Sequence, residues 1–204
     1  MKFTPNPCLR IAFVLFSLAS AASAQGIIVR GGMNFASALA DPAPASSSNR
    51  DFRKGLNAAL LSEFGNNAVS LLLGAGYENK GMHLGGNGGG NIRLDYLTVP
   101  VMVSFGTQAR RASPRLFANA GVEPAFLLSS DYATDNFTYA FDNAKGFDFC
   151  LRGEVGGEFP FSYSGPSAIV GMGYTFSLTD ANAGDDEWRN YAIHLFVGLK
   201  IRTF

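Results

Sequence analysis

The most constraining feature of this sequence is a period-two alternation of apolar and small or polar residues that recurs eight times after Gln25. Successive side chains of a strand point to opposite faces, so each recurrence predicts a strand with two different environments. The predicted strands are 27–37, 52–64, 69–81, 92–106, 115–129, 147–159, 167–180 and a last one running to the C-terminus. The sixth has the sharpest contrast. Phe147, Phe149, Leu151, Val155 and Phe159 share one face, while Asp148, Cys150, Arg152, Glu154, Gly156 and Glu158 share the other. Pro100 and Pro124 fall inside the fourth and fifth strands, where neither can donate to a sheet ladder.

Connections alternate as well. Residues 38–51, 82–91, 130–146 and 181–189 form long links, whereas 65–67, 107–114 and 160–166 are shorter. Long loops at one end and short turns at the other mark a transmembrane barrel, with the long loops extracellular. An even strand number puts both termini at the periplasmic end. The expected fold is therefore all-β: an eight-stranded antiparallel up-and-down transmembrane β-barrel spanning 25–204.

A soluble antiparallel sandwich or a lipocalin-like carrier of a small apolar ligand would alternate too. Its polar face would meet water and be rich in Lys, Glu and Asp. Here that face is mostly Gly, Ala, Ser, Thr and Asn, and charged residues make up only 16% of the chain, against roughly a quarter in soluble domains. Small residues suit the crowded interior of a barrel of about eight strands. Aromatics gather at predicted strand ends (Phe52, Phe64, Phe105, Phe126, Phe147, Phe159, Phe161, Tyr163 and Tyr191), as interfacial girdles do.

Residues 1–24 read as a secretory signal peptide: Lys2 and Arg10, an apolar run from Ile11 to Leu18, then Ala22-Ser23-Ala24 before Gln25. Cleavage after Ala24 removes Cys8 and leaves Cys150 alone, which excludes an intramolecular disulfide and a cysteine metal cluster. It also removes two of the 16 basic residues and none of the 16 acidic ones, so the mature charge is 14 − 16 = −2, and nothing points to nucleic acid.

The predicted lumen carries Glu63, Glu78, Glu123, Asp148, Glu154 and Glu158 beside Arg30, Lys80, Arg152, Lys200 and Arg202, with His194 also inward. Two readings follow, an ion-lined path or a compensating network. A buried charge without a partner is very costly, which favours the network, and an open pore usually needs about sixteen strands. No Ser-His-Asp/Glu arrangement accompanies His194, so an enzyme is not expected. The glycine run at 85–90 does not open a helix and implies no nucleotide site. Asp185, Asp186 and Glu187 read as a solvated acidic loop tip, and no cofactor or metal is expected.

Several segments resemble the PorT-type outer-membrane β-barrel family, porin-like barrels of Bacteroidetes-type bacteria. They are Gly31-Gly32-Met33-Asn34-Phe35, Tyr77-Glu78-Asn79-Lys80-Gly81, Leu94-Asp95-Tyr96-Leu97-Thr98-Val99-Pro100-Val101 and Ala120-Gly121-Val122-Glu123-Pro124. The chain has Gly74 where the family often has a glutamate and Gly173 where it often has an arginine, so that lumen charge pair is missing. The resemblance implies an outer-membrane barrel, with members mostly porin-like or of unknown function. Phe204 resembles the terminal aromatic read by the barrel assembly machinery, although alternation sets it with Lys200 and Arg202. The functional expectation is a monomeric barrel with a largely plugged lumen, among outer-membrane lipids and lipopolysaccharide, with a structural or surface-interaction role. A narrow channel for ions or small solutes is the alternative.

Overall fold

The computed structural model describes residues 25–41, 50–66, 68–84, 90–107, 113–134, 137–141, 144–162, 165–182 and 187–203. The predicted signal peptide, Tyr163, Asp185, Asp186, Phe204 and most of the glycine run lie outside the described residues. Among the described residues, eleven strands form one antiparallel sheet: β1 (Gly26–Asp41), β2 (Arg50–Asp51), β3 (Arg53–Gly65), β4 (Val69–Leu84), β5 (Gly90–Thr98), β6 (Val101–Gly106), β7 (Arg115–Ala133), β8 (Thr138–Ala140), β9 (Phe147–Pro160), β10 (Ser167–Ser177) and β11 (Glu187–Arg202).

These strands make eight staves. β2 and β3 share the second stave, β5 and β6 the fourth, and β8 is a short flap on β7. The ring closes where β1 pairs with β11, from Gly26↔Arg202 to Asp41↔Glu187. Gly26 and Arg202 pair at one rim together with the short turns, here the terminal rim; the other is the loop rim.

The fourth stave breaks at Val99–Pro100, and Pro124 lies beside the break, its carbonyl accepting from the Val99 N–H at 2.8 Å. The missing donors of Pro100 and Pro124 are thus gathered in one patch of the sheet, while Pro160 ends β9 at the terminal rim. A bulge follows nearby: Asp95 pairs with Ser129 but Tyr96 with Leu127, leaving Leu128 over. An extra residue reverses which face later side chains take. Ser129 therefore reaches the outward-facing Asp95, while Tyr132 turns inward among Met82, Ile92 and Leu94.

Strand ends differ from the predicted ones. β1, β4 and β7 run further toward the loop rim, through Asp41, Leu84 and Ala133, so parts of the predicted links 38–51, 82–91 and 130–146 are strand. The seventh stave stops at Ser177 rather than at 180. The reason is that alternation registers only the contrast between lipid and lumen. Ladder pairing such as Leu84↔Gly90 continues into water, where that contrast has ended.

The outer face is an apolar band that includes Val29, Met33, Leu60, Leu71, Val103, Val155, Met172 and Val197. Phe105, Phe159 and Phe161 ring the terminal rim. Toward the loop rim, Phe52 and Tyr174 both pack on Tyr191, with ring centroids 5.8 and 6.4 Å apart. Val197 lies near the middle of this band. Val197→Arg is expected to lower the unfolding free energy by about 2–4 kcal/mol, as for a basic residue facing the mid-plane of a bilayer, measured by urea unfolding in phospholipid vesicles.

Candidate functional site

Read upward from the terminal rim, the inward side chains form successive layers. The lowest is ionic. Lys200 lies 2.6 Å from Glu63 and 3.0 Å from Glu158, Arg115 lies 3.2 Å from Glu158 and 3.8 Å from Glu63, and Arg202 lies 3.1 Å from Glu158. The Ser70 hydroxyl donates to Glu63 at 2.8 Å. Arg202 is the most open of these side chains, at 27% exposure.

Above this layer lies an apolar plate of Ile28, Leu61, Leu72, Met102, Ile169 and Phe196, with Ala59 and Phe117 packed against it. Glycine makes room for the largest ring: a Cβ on Gly171 would fall 2.5 Å from the Phe196 ring. The cavity between this plate and the flanking charges, bordered by Arg30, Asn119 and Lys200, has a volume of about 20 Å³. That is room for roughly one water molecule.

The third layer is a second ionic network. Arg30 grips Glu154 with both terminal nitrogens, at 2.7 and 2.8 Å. Arg152 contacts three carboxylates: Glu154 at 2.7 Å, Glu78 at 2.8 Å, and Glu123. Lys80 lies 3.2 Å from Glu78 and 3.8 Å from Glu123. The Asn119 amide donates to Glu154 at 3.0 Å, and Arg30 stacks 4.6 Å above the Phe196 ring. His194 holds Thr175 through Nε2 at 2.5 Å and stands 3.4 Å from Glu78 through Nδ1. Three cations thus face three carboxylates, all buried. A close pair at low dielectric offsets desolvation only with good geometry, which the bidentate Arg30–Glu154 pair and the Arg152 contacts supply. Glu78 Oε2 and Glu123 Oε1 face Lys80 as ion-pair partners without a hydrogen bond.

A second apolar plate caps the network: Ala38, Met82, Ile92, Leu94, Tyr96 and Ala125, with Tyr132, Phe141 and Trp188 against it. Asp148 stands apart from the charge network at this level. It accepts from the hydroxyls of Ser177 at 2.6–2.7 Å and Thr179 at 2.9 Å, and from Asn190 at 3.4 Å.

The twelve lumen residues read from the sequence therefore separate into three groups. Arg30, Glu78, Lys80, Glu123, Arg152, Glu154 and His194 meet in the middle. Glu63, Glu158, Lys200 and Arg202 meet at the terminal rim, and Asp148 sits on neutral donors. Arg115 belongs with the second group and was not among those predicted. Its parity with Asn119 and Glu123 places it inward, but it opens its strand, where alternation has no preceding residue to support it. Among the described residues, no group of His, Cys, Asp and Glu side chains is placed to hold a metal ion. Removing the hub of the middle network exposes its value: Arg152→Leu leaves three carboxylates short of a partner and is expected to cost about 3–5 kcal/mol. The temperature at which the folded gel band converts to the unfolded one should fall clearly; an unchanged temperature would contradict the network.

Comparison with known proteins agrees with this architecture. A family model described as an outer membrane protein beta-barrel domain matches residues 21–182. No curated protein matches the chain. Among solved structures, Neisserial surface protein A is similar at a TM-score of 0.55 and 9% identity, over 87% of this chain and 97% of that one. The attachment invasion locus protein Ail of Yersinia pestis is similar at a TM-score of 0.49 and 13% identity, over 87% of this chain and 99% of that one. The family match covers most of the eight staves, and the eighth closes the ring on the first. The chain belongs to the outer membrane protein β-barrel domain family and resides in the outer membrane.

Proposed function

We propose that this protein is a monomeric, plugged barrel that stabilises the outer membrane and offers its loop rim for surface interaction. The single observation that carries the reading is the filled lumen: two apolar plates and two ionic layers lie in series across the path. A permeating ion would have to part the Arg152 contacts and then cross a plate without polar ligands. The interaction role rests on the hairpin of β7 and β8, which stands above the lipid-facing band. Phe137 at its tip is 74% exposed and Tyr139 57% exposed, where no acyl chain covers them.

Catalysis has no place in this reading. His194 is fully buried in mid-strand, paired with Asn34 and Gly173, and its hydrogen-bond partner is a threonine. Within the wider family we group the chain with the PorT-type barrels, on the strength of its Tyr77–Gly81 and Leu94–Val101 segments. Export by a signal peptide cleaved after Ala24 fits β1 beginning at Gly26, and insertion by the barrel assembly machinery fits the closed ring. Planar-bilayer recording on the refolded protein tests the central reading. The expected trace shows no stable unitary conductance, whereas reproducible unitary steps would favour the narrow channel.

A further inference from the structure

At the loop rim, β7 leaves β9 after the pair Phe126↔Phe147 and takes β8 as its neighbour instead. The fork leaves an open groove of about 650 Å³ on the outer wall, lined by Phe126, Lys145, Gly146, Phe147, Thr179 and Asp180. Its floor is apolar: the rings of Phe126 and Phe147 pack at 5.4 Å and are both exposed on the outward face. Its upper edge is an ion pair, Lys145 to Asp180 at 2.5 Å.

That edge is built rather than incidental. Asp180 accepts from the backbone N–H groups of Trp188 at 2.7 Å and Asn182 at 3.0 Å. The Lys145 N–H donates to the Ala181 carbonyl at 2.9 Å, and Ala144 bridges Asn182. Burial raises the Asp180 carboxyl, but Lys145 and those backbone donors hold it below the usual carboxylate range. Asp180 occupies one of the three ammonium donors, and the Lys145 side chain remains 45% exposed.

The groove's height matters. Phe126 stands eleven residues along β7 from Arg115. At about 3.3 Å per residue and a tilt of about 40°, that is roughly 28 Å above the terminal rim, at the top of an apolar band about 25 Å tall. The groove therefore opens at the headgroup level of the outer leaflet and continues the lipid-facing surface beneath it.

The geometry points to a binding site for a phosphorylated glycolipid of the lipopolysaccharide type. Lys145 takes a phosphate oxygen, Asp180 accepts from a sugar hydroxyl, and the two phenyl rings receive the first methylenes of an acyl chain. A neutral Lys–Asp pair over an aromatic floor suits such an amphiphile better than a bare anion. The inference rests only on the outer-membrane location, so unitary conductance would overturn the plugged-lumen reading and leave this one intact.

The test is native mass spectrometry of the full barrel refolded in zwitterionic detergent, titrated with bisphosphorylated lipid A, dephosphorylated lipid A and phosphatidylethanolamine. Wild-type protein is expected to prefer the bisphosphorylated form by about tenfold over both others, the scale of one charge-assisted hydrogen bond. Lys145→Ala should erase that preference, Lys145→Arg should keep it, and Arg189→Ala elsewhere on the rim should not change it. A Cβ at Gly146 meets nothing within 4 Å, so Gly146→Trp can fill the groove without disturbing the wall. It should abolish binding even if the lysine variant fails to fold. Equal binding of the two lipid A forms, phosphatidylethanolamine binding as tightly, or a preference that survives in folded Lys145→Ala or Gly146→Trp would each overturn the site.

Discussion

Hydrocarbon offers no hydrogen bonds, so a chain that crosses it must pair every backbone N–H and C=O with itself. The β1–β11 seam is where this sequence meets that demand: sixteen residue pairs join the first stave to the last and close the ring. Everything else depends on that closure. It forces alternate side chains to face lipid and lumen, and it fixes how many residues share the interior. It also fits where the prolines, which cannot donate, stand: Pro100 and Pro124 are neighbours at one break, and Pro160 ends β9 at the terminal rim.

An eight-stave ring is too narrow to stay empty and too wide to fill with glycine alone. This chain fills it in layers. Arginine and lysine reach across from one wall to carboxylates on another, and each ionic layer lies against an apolar plate that keeps water from competing for it. The middle network is locally neutral, with Arg30, Lys80 and Arg152 against Glu78, Glu123 and Glu154. Phe196 serves both layers, as part of the plate and as the ring beneath Arg30. The plates and the networks therefore hold each other in place, which is a reason for the interior to resist opening.

The wall was legible in the sequence because lipid and lumen impose opposite chemistry on neighbouring residues. Side-chain partnerships were less so: Arg152 and Glu78 are 74 residues apart, and only the ring's register brings them together. Inward parity identified the charged residues but not their division into two layers, since parity carries no height. The lower apolar plate left a trace of its own. Alternation lapses into apolar runs at Ile27-Ile28-Val29, Leu71-Leu72-Leu73, Val101-Met102-Val103, Ala168-Ile169-Val170 and Leu195-Phe196-Val197, and the middle residue of each run is a member of that plate. A lapse in a barrel's alternation can therefore mark an apolar layer of its lumen.

A solid interior moves the protein's contacts to its outside, and the two rims differ in what they present. The terminal rim is short and closed by ion pairs. The loop rim is lopsided: β4, β5 and β7 rise with β8 as a tall wall, while β9 and β10 stop near the girdle of Phe126, Phe147 and Tyr174. The step between them exists because β7 exchanges one partner for another in mid-strand, and the bulge at Leu128 lies just beyond that exchange. Side chains from both environments meet at this step, rings that belong with lipid and an ion pair that belongs with water. A uniform barrel rim would keep those two sets apart.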